Sequence, residues 1–350
     1  MLKLLNLENL PGQQSMLVFH ALARLGFEGL VIVSPDIPLA SIGYFQDAAK
    51  EVDLEYCKNN NIPVMRREVG GGATYLDNNQ IFYQCIWKKG HPKFPVKIKD
   101  VFSELSEPAI ETYSDFGIKT MFRPENDIIT KDKRKIAGEG GGDIGESMVF
   151  VGGILMDFDY KTMSKILKVP DEKFRDKIYK TMEENLTTMK REIGHMPDRI
   201  EVVKSLVNNF ESKVGVLKEI SLDQTTVDKM IELERYFTSD KFLLKKTPRI
   251  PKGVKIREGV EILYSTYKSK GGLIRTAQEI KENRIETIDI SGDFQFYPKS
   301  ELSGLEKNLK KVKRKDSIII DKVEDFYDKN KIESPGVEPE DVTEAIMEAK

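Results

Sequence analysis

Three consecutive glycines, Gly70 to Gly72, follow a short stretch of strand-forming residues and two arginines, Arg66 and Arg67. Glycine loses more conformational freedom on folding than any other residue, so a run of three indicates a close approach of the backbone to another group. Main-chain N–H groups free of side chains can contact an anion, and the Arg67 guanidinium can add a bidentate contact. The run therefore predicts a cradle for a phosphate or acyl phosphate. The alternative is a tight turn beside two solvated arginines.

This glycine run differs from two common phosphate-binding loops. A P-loop requires Gly-Lys-Ser/Thr after its glycines, and none follows here. A dinucleotide-binding fingerprint has spaced glycines that open a helix, whereas these glycines are contiguous and strand-forming residues follow them. The sequence therefore indicates a cradle of another kind.

A second candidate segment runs from Pro124 to Gly138, where Asn126 and Asp127 precede a predicted strand and Lys135 follows within the length of a hairpin. Asp127 could hold Mg²⁺, which usually takes one or two carboxylates together with phosphates. Lys135 could stabilise negative charge on an α-phosphate and on the carbonyl joined to it. The combination suits ATP-dependent activation of a carboxylic acid. The alternative is a solvated hairpin, because basic residues cluster around Lys135 and charged clusters are common on surfaces.

A third segment, GEGGGDIGES at residues 138–147, is rich in glycine. We expect either a mobile loop that closes over a reactive intermediate and excludes water, or a disordered surface loop. Both interpretations stay open at this point.

The order of predicted elements indicates an α+β chain of two domains. A mixed β-sheet with flanking helices is predicted first, and apolar spacing turns helical from Pro170 to about Phe237. The prolines and charges of residues 243–259 place a domain boundary near residue 245. We therefore expect domains at 1–245 and 246–350, the second a small α+β domain, since 350 residues is long for one domain.

Individual elements follow from local patterns. The sequence predicts core strands at residues 29–35 and 81–87, one helix over 102–118, and a turn followed by a strand over 121–130. In the second domain, turn signals separate strands over 260–298. Helices are predicted over 300–312 and 338–350, each with a serine or acidic residue to cap its start.

Charge and cysteine content exclude several classes of protein. The net charge of −2 argues against a nucleic-acid or membrane-surface partner, and no apolar run approaches the roughly 18 residues of a membrane span. The N-terminus lacks the pattern of a secretion signal. Two cysteines, Cys57 and Cys85, with three scattered histidines, do not make a disulfide framework or a zinc site. We expect a cytoplasmic protein.

The combined motifs resemble the lipoate–protein ligase family. RREVGGGATYLD at 66–77 resembles the family signature Arg-Arg-x-x-Gly-Gly-Gly-x-x-x-His-Asp, and RPENDI…KRKIAG at 123–138 resembles its Asn-Asp followed by Lys-Ile-x-Gly, which related biotin ligases share. VGGILMDFDY at 151–160 is similar to the strand that follows in the family, and residues 292–309 are similar to its accessory C-terminal domain. The resemblance covers nearly the whole chain and implies a biotin/lipoate ligase-like fold.

The resemblance implies a two-step reaction. Lipoate and ATP give lipoyl-AMP and pyrophosphate, and a lysine of a lipoyl carrier domain, of the glycine cleavage H protein or dehydrogenase E2 type, then attacks the mixed anhydride. The implied ligands are ATP, Mg²⁺ and lipoate. By position, Arg67 would contact phosphate, Lys135 would polarise the acyl phosphate and Asp127 is a candidate metal ligand. The further binding positions are Gly71, Gly72, Ala73, Thr74, Leu76, Asp77, Asn126 and Gly138.

Three positions depart from the family pattern. Leu76 stands where the family has histidine, Val69 where Ser or Thr is usual, and Gly153 where Thr is usual. An adenine held mainly by main-chain atoms would tolerate these changes, whereas a role that needs the imidazole would not. The acyl substrate, lipoate, octanoate or another carboxylate, therefore stays open.

Two other functions compete with the ligase. The first is an octanoyltransferase of the same fold, which passes an acyl group through a thioester on cysteine. Cys57 and Cys85 precede the later loop in which such a nucleophile is expected, and Lys135 with a full C-terminal domain favours the ligase. The second is a non-catalytic homologue that binds lipoate or a carrier domain, which the loss of the histidine keeps open.

Overall fold

The computed structural model describes residues 1–247 and 259–350. Its strands are β1 Lys3–Leu10, β2 Gly29–Pro35, β3 Leu39–Ile42, β4 Val64–Arg66, β5 Thr74–Leu76, β6 Gln80–Lys88, β7 Thr120–Arg123, β8 Asp127–Thr130, β9 Lys135–Gly138, β10 Gly140–Ile144, β11 Ser147–Leu155, β12 Lys218–Glu219, β13 Val260–Ser269, β14 Gly272–Lys281 and β15 Arg284–Gly292. Its α-helices are α1 Gly12–Arg24, α2 Ala48–Glu51, α3 Leu54–Asn59, α4 Ile98–Leu105, α5 Glu107–Asp115, α6 Tyr160–Ile166, α7 Arg175–Asn185, α8 Met189–Ile193, α9 Arg199–Val214, α10 Gln224–Phe237, α11 Asp240–Leu243, α12 Glu301–Asn308, α13 Asp316–Asn330 and α14 Pro339–Met347.

A mixed sheet forms the centre of the first part of the chain. Within the described residues it has six strands in the order β10-β11-β6-β2-β1-β12. Each neighbouring pair from β10 to β2 is antiparallel, whereas β1 lies parallel to both β2 and β12. The predicted α+β class, a mixed sheet with flanking helices, is confirmed.

Strand β2 is apolar along its length because both of its faces are covered. Leu30 and Ile32 pack into the cluster shared with α4, α5 and α9, and Val31 and Val33 pack into the cluster shared with α1 and α10. The alternation of side chains along a strand thus divides one hydrophobic run between two cores.

Helix α9 illustrates how local sequence signals place these covering helices. Asp198 caps its start by accepting from two main-chain N–H groups, and Gly215 ends it in a positive-φ conformation of 84°. Val202, Leu206 and Phe210 are four residues apart and form its buried stripe.

The residues after 258 form a second layer with a core of its own. In this described part, β13, β14 and β15 make a three-stranded antiparallel sheet, and α12, α13 and α14 pack with it. Phe45 of the first part belongs to the same cluster and stacks on Phe294 with ring centroids 5.4 Å apart. Much of the segment predicted as the domain boundary, residues 248–258, lies outside the described residues.

Several predictions of elements were wrong. The glycine-rich segment predicted as a mobile or disordered loop is strand β10, paired antiparallel with β11. The single helix predicted over 102–118 is two helices, α4 and α5. The segment 121–130 contains strand β7 before the turn as well as β8 after it. Helix α13 was not predicted, although its buried Ile319, Val323, Phe326 and Tyr327 have helical spacing.

No helix in the described part of the chain is both long enough and apolar enough to cross a membrane.

Candidate active site

A cavity of about 240 Å³ lies against strands β6 and β11 of the central sheet. The glycine loop that precedes β5, the end of β9 and helices α6 and α7 complete its wall. Its apolar lining consists mainly of Met16, Phe19, Leu76, Phe82, Val151, Leu155, Phe158, Met163, Met182 and Leu186. A concave, mostly apolar pocket with a few polar groups is the usual form of a small-molecule site.

The glycine loop is close-packed against other backbone on the side away from the cavity. A Cβ on Gly43 would stand 1.9 Å from the Gly71 carbonyl oxygen, and a Cβ on Gly70 would stand 2.3 Å from the Gln295 side chain. Gly71 has a φ of +94°, which side chains rarely adopt. Gly71 and Gly72 line the cavity with the same loop. The run is therefore a thin wall between the cavity and the residues behind it.

Arg67 holds this loop in place. One of its terminal nitrogens, Nη2, donates to the carbonyl oxygens of Gly70 at 2.9 Å and Gly72 at 2.8 Å. The other, Nη1, lies 3.3 Å from both oxygens of Ser41. The side chain also lines the cavity, and burial lowers its pKa to about 10, so it stays charged at neutral pH. Its guanidinium thus adds positive charge to the wall while fixing the loop.

Arg66 lies fully buried behind the wall, away from solvent and the cavity. Among the described residues, it donates only to main-chain carbonyls, those of Gly43, Tyr44, Gln46, Phe242 and Leu243. The alternative of two solvated arginines beside a plain turn is therefore wrong.

The second glycine run lies in strand β10, where it is packed closely against other groups. A Cβ on Gly141 would stand 2.7 Å from the Tyr297 hydroxyl, and one on Gly142 would stand 2.8 Å from the Glu68 carbonyl oxygen. The strand is thus packed closely on both the segment before the glycine loop and the C-terminal part. Close packing of strand glycines against neighbouring groups is the reason side chains are absent there.

Lys135 opens strand β9 and lines the cavity. Its Nζ lies 2.6 Å from the Asp127 Oδ1 and 2.7 Å from the position that a Gly138 Cβ would occupy. Its main-chain oxygen accepts from Thr187 N at 2.8 Å, which ties the strand to the segment after α7. Lys135 is therefore only partly exposed, and its amine is held beside the cavity.

Most residues predicted from the motifs meet at this cavity. Those that line it are Arg67, Gly71, Gly72, Ala73, Thr74, Leu76, Asn126, Lys135 and Gly138. Asp77 does not line it, because its carboxylate accepts from the N–H groups of Asn79 and the side chain of Gln80 in the turn before β6. Leu76, which replaces the family histidine, is a buried apolar part of the wall.

Asp127 lies between two cations. Lys135 contacts its Oδ1, and Arg123 donates to its Oδ2 at 2.5 Å. Burial favours the neutral acid, but these two cations hold the pKa of Asp127 below its ordinary value. Within residues 1–247 and 259–350, no group of three or more His, Cys, Asp or Glu side chains is placed to hold a metal ion. Asp127 could therefore hold Mg²⁺ only together with ligands from outside the chain, such as phosphates.

Two side chains of the site were not found from the sequence. Glu139 lines the cavity between β9 and β10 and is fully buried, with its pKa raised by burial to about 8. Gln295 packs behind the glycine loop, where its amide, oriented with Oε1 toward the loop, accepts from Gly71 N at 3.3 Å and donates to the Gly141 oxygen at 3.2 Å. The only sequence signal for Glu139 was an acid set among glycines.

The central part of the chain matches a known protein family. Residues 19–211 match the lipoyl protein ligase A/B catalytic domain, which is more than half of the chain. The chain belongs to this family.

Three relatives match between 56% and 79% of this chain. The lipoate-protein ligase A subunit 1 of Thermoplasma acidophilum is 29% identical over 212 residues, 56% of this chain and 79% of the relative. Lipoate–protein ligase 2 of Staphylococcus aureus is 23% identical over 282 residues, 79% of this chain and 78% of that one. The octanoyltransferase LipM of Staphylococcus epidermidis is 24% identical over 233 residues, covering 59% and 83%. Ligases and transferases of the family are thus both similar to the chain.

Two solved structures share the fold of this chain. A bipartite lipoate protein ligase from Thermoplasma acidophilum, studied with its E2 lipoyl domain, has a TM-score of 0.63 at 26% identity, covering 72% of this chain and all of that one. LipL1 of P. falciparum in complex with lipoate has a TM-score of 0.70 at 15% identity, covering 93% and 94%. The second likeness extends the shared fold through the C-terminal part.

Proposed function

We propose that this protein is an ATP-dependent lipoate–protein ligase. It would activate lipoate to lipoyl-AMP and transfer the lipoyl group to a lysine of a carrier domain. The observation that carries the proposal is the meeting of Lys135 and the Arg67-braced glycine loop at one largely apolar cavity. An apolar wall suits an acyl chain, and a fixed amine with main-chain groups suits the anionic end of an acyl adenylate.

The proposed reaction has two steps, and Lys135 and Arg67 would have different roles in them. In the first, a carboxylate oxygen of the acid attacks the α-phosphorus of ATP and pyrophosphate leaves. In the second, the carrier amine attacks the carbonyl carbon and AMP leaves with the electron pair of the C–O bond. Lys135 would stabilise the negative charge that develops on the phosphate and carbonyl oxygens. Arg67 would keep the glycine loop in shape and add positive charge toward the phosphate.

Structures similar to this chain support the ligands that we propose. A lipoate-protein ligase A structure contains ATP, a Thermoplasma acidophilum protein described as a lipoate protein ligase contains lipoic acid, and the bipartite ligase was studied with an E2 lipoyl domain. We therefore propose ATP, lipoate and a lipoyl carrier domain of the E2 or H-protein type for this chain. Mg²⁺ would arrive with the ATP phosphates, which take most of its coordination.

An octanoyltransferase is the second candidate, because LipM proteins are among the relatives. A thioester route needs an accessible thiolate. The chain has two cysteines, and neither Cys57 nor Cys85 lines the cavity. Both are buried, and burial raises the pKa of Cys57 to about 11 and the pKa of Cys85 further still. These features favour the ligase over the transferase.

The test uses the purified protein with ATP, Mg²⁺, lipoate and a panel of lipoyl carrier domains. We expect release of pyrophosphate and a mass increase on one carrier lysine, both unaffected in a Cys57→Ala, Cys85→Ala double variant. Absence of both products with every carrier would refute the ligase. Transfer from an octanoylated carrier without ATP, lost in the double variant, would establish the transferase instead.

A further inference from the structure

Glu139 occupies the one-residue joint between β9 and β10, and its carboxyl group is buried beside the cavity. The Tyr83 hydroxyl donates to its Oε1 at 2.6 Å, and the Ser106 Oγ lies 2.5 Å from its Oε2. Asn126 fixes the main chain of the same residue, because its carbonyl accepts from Glu139 N at 2.9 Å and its side chain donates to the Glu139 oxygen at 2.7 Å. Side chain and main chain are therefore both held.

The hydrogen atoms around this carboxyl group can be counted. The Ser106 hydroxyl has one hydrogen, yet its Oγ lies 2.5 Å from two oxygens, that of Glu139 and the carbonyl oxygen of Phe102. This hydrogen can fill only one of the two contacts, and the Phe102 carbonyl has none to give, so Ser106 donates to Phe102 when both contacts are hydrogen bonds. The short contact between Ser106 and Glu139 then needs a hydrogen on the carboxyl group. A neutral Glu139 satisfies every contact, whereas a carboxylate leaves two oxygens facing each other.

Charged and titratable groups surround the Glu139 side chain. Lys135 and Asp127 approach from the hairpin of β8 and β9, Tyr83 from β6 and Tyr113 from α5. Burial raises the pKa of Glu139 most strongly, and Asp127 raises it further, against the lowering by Ser106, Tyr83 and Lys135. An ionised Glu139 would add a second carboxylate near the Lys135 amine.

We propose that Glu139 is a positioning residue that acts as a neutral carboxylic acid. By keeping its proton it leaves the cavity wall beside Lys135 without a second negative charge, so that Lys135 faces an anionic ligand. The proposal rests on the proposed function in taking ATP and a carboxylate as the ligands. Loss of the proton at alkaline pH would weaken the binding of both anions and raise their KM.

The protonation state is tested first, without turnover. In protein labelled with ¹³C at glutamate carboxyl groups, we expect one resonance that titrates near pH 8 and is missing in Glu139→Gln. Glutamine is uncharged and of the same shape, and it can both accept from Tyr83 and donate to Ser106. Should that variant be unstable, Ser106→Ala identifies the resonance by shifting its inflection. A Glu139 carboxylate ionised throughout pH 5 to 9 overturns the proposal.

The consequence for ligands is tested by calorimetry of ATP binding at pH 6.5 and pH 9.5. We expect the wild-type affinity to fall about tenfold more than that of Glu139→Gln, the effect of about 1.4 kcal/mol of added repulsion. An equal response in both proteins, or no ATP binding at either pH, overturns the proposal. A protein that binds ATP with this pH response but releases no pyrophosphate with any carboxylate refutes the proposed ligase and leaves the role of Glu139 standing.

Discussion

The position of Lys135 gives a direct test at the scale of one residue. Its amine is held by Asp127 and reaches the cavity, so Lys135→Ala removes the positive charge nearest the proposed acyl phosphate. We expect pyrophosphate release to fall by about 10² to 10³-fold, as when one preorganised stabilising group is removed. The pair is partly exposed, so the free energy of unfolding should change by no more than about 1 kcal/mol.

Lys131→Ala is the matched control, because this exposed lysine lies in the same hairpin and does not line the cavity. Its adenylation rate should match the wild type. Near-normal adenylation by Lys135→Ala, with unchanged circular dichroism, would remove Lys135 from its assigned role.

His20 gives a second prediction at this scale, on stability against pH. Its ring is fully buried, with Nδ1 2.8 Å from the Met16 carbonyl oxygen and Nε2 accepting from Glu68 N, and burial lowers its pKa from 6.5 to about 3. Between these pH values the unfolded chain binds a proton that the native protein does not. The free energy of unfolding should therefore fall as pH falls, by up to about 1.4 kcal/mol per unit.

The measurement is urea unfolding at several values between pH 5 and 6.5, where most carboxylates stay ionised. We compare the slope of stability against pH in the wild type and His20→Leu, not their absolute stabilities, because the variant also loses a hydrogen bond. Equal slopes would mean that His20 is not held neutral.

Individual residues of the site could be predicted from the sequence where they lie in a short local motif. Lys135 and the glycine run could be found because each lies in a short recognisable pattern. Glu139 could not, because its partners Tyr83 and Ser106 are 56 and 33 positions away. The bracing role of Arg67 was also hidden, since a sequence does not reveal that a guanidinium turns toward the carbonyls of its own loop.

At the scale of elements, the close packing of the glycine loop predicts unequal effects of added methyl groups. A Cβ on Gly43 would meet the Gly71 carbonyl oxygen at 1.9 Å, which only a backbone shift could relieve. We expect Gly43→Ala to lower the free energy of unfolding by about 3 kcal/mol or more. Gly72→Ala is the control, because its nearest neighbours are at 3.9 Å.

Both variants are compared by urea unfolding. Gly72→Ala should remain within about 1 kcal/mol of the wild type. If Gly43→Ala were equally stable, the loop would not be pressed against Gly43 as the structure describes.

Elements could be predicted from the sequence where side chains carry a periodic signal. Strand β6 was found from its aromatic and β-branched residues, and it pairs with β11 along its whole length. Strand β10 was missed because three glycines have no side-chain pattern, and their need for close packing comes from Tyr297, far along the chain. The split between α4 and α5 at Ser106 was missed because the apolar spacing continues across it.

At the scale of the whole molecule, we propose that residues 1–245 form the catalytic domain and 246–350 an accessory domain that supports the glycine loop. Lys299 joins the two by donating its main-chain N–H to Asp143 at 3.0 Å and placing its amine 3.3 Å from Glu68. Arg275 of the second part also pairs with Glu51 of the first. Apolar contact is added by the stack of Phe45 on Phe294.

This interface predicts that the two parts unfold together and that Phe294→Ala uncouples them. Trp87 is the only tryptophan and lies in the core of the first part, so its fluorescence reports that part alone, whereas far-ultraviolet circular dichroism reports both. In the wild type we expect one thermal midpoint by both methods. Phe294 is almost fully buried, so its truncation should cost about 3 to 5 kcal/mol and separate the two midpoints. Tyr264→Ala is the control, because this side chain of β13 is half-exposed, and its two midpoints should coincide. If the two midpoints of Phe294→Ala also coincided, the stack would not couple the two parts.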